Sequence, residues 1–92
     1  MKVIKIGARW CSGCLVMKPR WVQIETELPW LHTVYLDFDD DAAEVKKLGI
    51  VADRLPVFIF YDDNGQEVNR LVGEVGKEDL ISLINQIHYK NS

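Results

Sequence analysis

Cys11 and Cys14 are the only cysteines in 92 residues, and they stand between a short apolar run at residues 3–6 and a long helical pattern that begins at position 11. This placement constrains the fold more than any other feature. Residues 32–38, rich in β-branched and aromatic side chains, read as a second strand. Strand, helix and strand in that order make a βαβ unit, whose two strands are parallel and whose crossover is right-handed. Two side chains three positions apart on a helix share a face, so the sulfurs can meet when the first turn forms around them. Cys11 falls at the helix N-terminus, where unpaired backbone N–H groups and the positive end of the helix dipole favour an anion. For a thiol this means a lowered pKa: at about 8.5 only roughly 3% is thiolate at pH 7, and at about 7 half of it is.

The rest of the chain extends this unit. Cys14, Met17, Trp21, Ile24 and Leu28 recur at helical spacing over residues 11–28. Pro19 removes one backbone hydrogen bond within that run and predicts a kink near residues 15–18, and Pro29 ends it. Asp39, Asp40 and Asp41 precede a short helix at residues 42–48, closed by Gly49, and the acids suit its N-terminus as caps. Residues 50–55 read as irregular linker. A strongly apolar strand at 56–61 and a weaker alternating one at 66–72 are joined by Asp62-Asp63-Asn64-Gly65, whose Asn-Gly pair signals a hairpin. Residues 77–89 carry Leu80, Ile81, Leu83, Ile84 and Ile87 as one broad helical stripe. The order is βαβαββα, one small α/β domain over residues 1–92.

Charge and composition exclude several functions. A net charge of −3 gives no basic patch for nucleic acid or an anionic membrane. No apolar run approaches the roughly 18 to 20 residues of a membrane span, and residues 1–6 are too short and interrupted for a signal peptide. The expectation is a cytosolic protein, where paired cysteines are reactive more often than structural. Zinc needs four ligands, and only His32 and His88, on a different strand and near the end of the last helix, could complete the set. A calcium loop counted from Asp37 would need glycine and glutamate where Ala42 and Leu48 stand. Neither a metal nor a cofactor is expected.

Trp10-Cys11-Ser12-Gly13-Cys14 resembles the Trp-Cys-x-x-Cys motif of the thioredoxin superfamily, Pro19 matches the proline in that family's active-site helix, and Leu55-Pro56 resembles its cis-proline step. Gly73 and Lys77-Glu78-Asp79-Leu80 extend the likeness, which covers about residues 2–88 and gives a minimal version without an additional N-terminal strand and helix. The resemblance implies a four-stranded mixed sheet flanked by three helices and a monomeric protein-disulfide oxidoreductase. In that reading Cys11, exposed at the tip, attacks the substrate disulfide, and Cys14, more buried, resolves the mixed disulfide. Trp10, Leu55 and Pro56 contact an extended substrate segment. The partners it implies are protein disulfides and a reductase or other thiol donor. An alternative is a binding module that uses the same surface with the cysteines incidental.

Three departures from the family pattern bear on chemistry. The spacer Ser12-Gly13 is its own and tunes the redox pair. Lys5 occupies the place of the family's buried acid, and Tyr35 that of the acid's lysine partner. Lys5 either packs its stem along the sheet while its amine reaches water, or holds a thiolate by its charge. The linker at residues 50–56 is about two residues longer than in thioredoxins, which implies a specialised relative with its own reductase and client.

Overall fold

The computed structural model describes residues 1–90. Four strands, β1 (Lys2–Gly7), β2 (His32–Asp37), β3 (Val57–Tyr61) and β4 (Glu67–Val72), form one sheet in the order β2-β1-β3-β4. β1 and β2 run parallel with Lys5 opposite Tyr35 and Gly7 opposite Asp37. β3 is antiparallel to β1, and β4 to β3. The helices are α1 (Ser12–Glu27), α2 (Ala42–Lys47) and α3 (Lys77–Lys90), the arrangement expected of βαβαββα.

Alternation along the strands divides the core in two. Val3, Phe58 and Phe60 meet Met17, Trp21 and Ile24 of α1 and Leu80, Ile84 and Ile87 of α3 on one face. On the other face Ile6, Leu36, Val57 and Ile59 meet Val45 of α2. Burying each such side chain stabilises the fold by about 1.5–3 kcal/mol. The sheet is thus covered on both sides, with β2 and β4 at its edges.

Two local expectations change. Residues 50–55 contain a 3₁₀ turn, Ala52–Arg54, because Arg54 N–H closes on the Val51 carbonyl at 3.2 Å. Asp41 stands at the N-cap of α2 but its side chain does not cap it. Its Oδ2 accepts the Asp37 N–H at 2.8 Å, while Asp37 Oδ1 accepts the N–H groups of Asp39 and Asp40 at 2.9 and 3.0 Å. The acids tie the turn after β2 to itself, and backbone donors of a tight turn outcompete those of a six-residue helix. α1 is continuous through Pro19. The hairpin is closed by Asp62, whose carboxylate accepts the N–H groups of Asn64 and Gln66, with Gly65 at φ 81°.

Candidate active site

β1 ends at Gly7 and the chain turns through residues 8–10 into α1. Cys11 N–H closes that turn on the Ala8 carbonyl at 3.2 Å. The loop is held from the side by the turn after β2. Arg9 pairs with Asp40 at 2.6 Å, and Phe38 N–H reaches the Gly7 carbonyl at 2.8 Å. The Trp10 indole N–H donates to Asp39 at 2.8 Å, and its ring meets Phe38 edge-on. Trp10 is 56% exposed despite these anchors. It is a fixed apolar surface beside the motif.

Cys11 is the N-cap of α1, in extended backbone conformation, and its sulfur accepts the Cys14 N–H at 3.2 Å. A disulfide joins the two cysteines, with Cα atoms 5.3 Å apart. An orphan amide of the first helical turn therefore points at Cys11 Sγ, and after reduction the same amide faces whatever charge that sulfur carries. Gly13 brings the turn against Pro56, since a Cβ there would lie 3.3 Å from the proline Cδ and 3.6 Å from Glu74 Cγ. Ser12 is exposed. The Leu55–Pro56 peptide is cis, as the resemblance implied, and Pro56 is buried beside the motif while Leu55 is half-buried.

The relative exposure of the cysteines differs from expectation. Cys11 is only 9% exposed, whereas Cys14 is the more accessible of the two and borders a cavity of about 530 Å³. Gly7 places no side chain against Cys14, so the sulfur packs onto the end of β1. A Cβ there would come within 3.1 Å of the Cys14 sulfur. Lys5 lines the same cavity, yet its amine neither reaches water freely nor turns to the sulfurs. It pairs with Glu25 of α1 at 2.6 Å and lies 5.7 Å over the Trp21 ring. Thr33 donates to the same Glu25 oxygen.

Tyr35 and Asp37, which the sequence left without a chemical role, complete the cavity wall. Asp37 is buried, and the N–H groups of Asp40 and Asp39 hold its carboxyl below the usual 3.8. Burial and the neighbouring Asp37 charge push the Tyr35 hydroxyl above its usual 10.0. The signal that could have found them is the two-residue period, which puts Lys5 and Gly7 of β1 and Tyr35 and Asp37 of β2 on one sheet face.

The thioredoxin family model matches residues 1–86. Thioredoxin of Chlamydia caviae is 33% identical over 84 residues, spanning 91% of this chain and 79% of that protein. Thioredoxin of Mycobacterium tuberculosis is 30% identical over 86 residues, spanning 92% and 72%. Among solved structures, Fasciola hepatica thioredoxin superposes with a TM-score of 0.82 at 26% identity, covering 94% of this chain and 79% of that one. The oxidised form of mitochondrial thioredoxin 3 from Saccharomyces cerevisiae gives 0.80 at 25% identity, covering 92% and 76%. With a joined cysteine pair at the head of α1, the chain belongs to the thioredoxin family as a thiol-disulfide oxidoreductase.

Proposed function

We propose that Cys11 is the attacking sulfur and Cys14 the resolving one, in a cycle that reduces protein disulfides. The observation that carries this assignment is the Cys14 N–H aimed at Cys11 Sγ from the first turn of α1. In the dithiol, that amide and the helix N-terminus stabilise a Cys11 thiolate. Its lone pair forms a bond to one substrate sulfur, and the other substrate sulfur leaves with the electron pair of the broken S–S bond. Cys14 then attacks Cys11 as a thiolate, re-forming the intramolecular disulfide and releasing the second substrate sulfur reduced. A reductase or another thiol donor returns two electrons.

The low exposure of Cys11 assigns a role to its surroundings. A partner must dock to present its disulfide, and the exposed Trp10 ring with Leu55 and Pro56 offers the surface. The backbone at Leu55 pairs with an extended substrate segment. Lys5, with its charge committed to Glu25, acts on the pair only through the shape of the cavity, and Ser12 and Gly13 set how closely the first turn approaches Pro56. The cycle suits a monomer in the reducing cytosol. Among the described residues no helix is long and apolar enough to cross a membrane.

The test is a pair of single-cysteine variants exposed to a disulfide-bearing protein. Cys14→Ser traps a mixed disulfide through Cys11, seen as a shifted band on a non-reducing gel, and Cys11→Ser does not. Trapping by Cys11→Ser alone would reverse the assignment. Binding that persists unweakened when both cysteines are replaced would instead favour a docking module.

A further inference from the structure

Glycine at position 7 leaves two reactive groups bordering the same point. A Cβ there would stand 3.1 Å from Cys14 Sγ and 3.3 Å from the Tyr35 hydroxyl oxygen. A side chain at that place would press on both the sulfur and the hydroxyl, and its absence lets the two border one point. β2 is an edge strand, so the Tyr35 ring lies half in solvent at the rim while its hydroxyl is directed inward.

The polar groups around this point differ in whether they are already engaged. Asp37 accepts the Asp39 and Asp40 N–H groups and also draws the Tyr35 hydroxyl, Asp40 holds Arg9, and Asp41 accepts the Asp37 N–H. Lys5 is paired with Glu25. By contrast, Trp21 in the cavity wall has a buried indole Nε1 with no hydrogen-bond partner among the described residues. The carboxylates and the amine of this wall are thus committed to one another and to the backbone, and the Tyr35 hydroxyl is the donor that borders the sulfur.

We propose that Tyr35 is a catalytic residue of the second exchange step, its hydroxyl donating a hydrogen bond to the Cys14 thiolate. This rests on the assignment of Cys14 as the resolving sulfur. Cys14 gives its proton to water in the cavity, and the resulting thiolate draws the Tyr35 O–H away from Asp37 to itself. The thiolate lone pair forms the bond to Cys11 Sγ, the bond between Cys11 and the substrate sulfur breaks, and the substrate leaves as a thiolate that takes a proton from water. Tyr35 acts as a donor and not as a base, since it keeps its proton across the neutral range. The other charges that face this pair are Lys5 on β1, Arg9 before α1, Lys18 and Glu25 on α1, the Asp37, Asp40 and Asp41 turn, and Glu74 beside Gly13. All are left in place by Tyr35→Phe.

The experiment is single-turnover oxidation of the reduced protein by an excess of 5,5′-dithiobis(2-nitrobenzoic acid), a chromogenic disulfide, over a range of pH. The first equivalent of coloured thiolate reports attack by Cys11 and the second reports attack by Cys14. A hydrogen bond to a charged group is strong enough that its loss should raise the Cys14 thiol pKa by about one unit or more. Tyr35→Phe is therefore expected to release the second equivalent roughly tenfold more slowly at pH 7, with the two proteins converging at alkaline pH. The first release should be unchanged, which also shows that the variant is folded. Titration of Cys14 by thiolate absorbance in the Cys11→Ser background gives the same shift directly. An unchanged Cys14 midpoint in Tyr35→Phe overturns the proposal. A parent protein that never releases a second equivalent refutes the assignment of Cys14, and the role of Tyr35 with it.

Discussion

Asp37 shows how much one carboxylate organises. Its Oδ1 gathers two backbone N–H groups of the turn that anchors Arg9 and Trp10, so it positions the loop before the cysteines without touching them. Those N–H groups, Asp40 first, lower its pKa from 3.8. A carboxyl whose folded pKa is depressed contributes stability that is present above its unfolded value and lost as pH falls through the folded one. Asp37→Asn should therefore be less stable than the parent at pH 7, with the gap closing as pH falls below 3.8. Urea unfolding at a series of pH values measures this, and a gap that stays constant would show that the charge is not what the turn uses. The cysteines make the same point about neighbours. Residue spacing brings the sulfurs together, but the absence of a side chain at Gly7 is what lets the Cys14 sulfur sit against β1.

Among the elements, α1 performs two tasks with separate parts of its length. Its first turn presents the sulfurs, and Met17, Trp21 and Ile24 press it onto Val3, Phe58 and Phe60. Leu15 and Val22 remain exposed on its outer side, although the helical spacing is kept. α3 braces it through Lys77, which pairs with Glu27, and Arg20 of α1 binds the Val75 carbonyl before α3 at 3.0 Å. α2 ends differently: Gly49 takes φ 75° just past its C-terminus. That left-handed conformation disfavours a Cβ by about 1–2 kcal/mol. Gly49→Ala should accordingly lower the free energy of unfolding by about 1 kcal/mol while leaving the disulfide-exchange rate unchanged, read by chemical denaturation and by turnover of a disulfide substrate.

For the whole molecule, the sheet is the shared wall of two cores, and β3 supplies both, with Phe58 and Phe60 on one side and Val57 and Ile59 on the other. A domain of this size is stabilised by about 5–15 kcal/mol in total. Phe60→Ala, at a fully buried position, should cost about 3–5 kcal/mol and lower Tm by more than about 10 °C in a thermal melt. A drop of only a few degrees would mean that the two faces repack independently. The sequence alone determined the element order, the hairpin, the closing glycine and the sulfur pair, because helix and strand periods, turn chemistry and a two-residue spacer act over a few neighbours in the chain. The likeness in Leu55-Pro56 carried the cis step. Tertiary structure alone decided that Lys5 spends its charge on Glu25, that the acids after β2 tie a turn instead of capping α2, and that Gly7 opens a space shared by Cys14 and Tyr35. Those outcomes depend on which side chains the parallel register sets opposite one another beneath α1, and that distance is through space, across residues 5 to 37, where no local rule of the chain reaches.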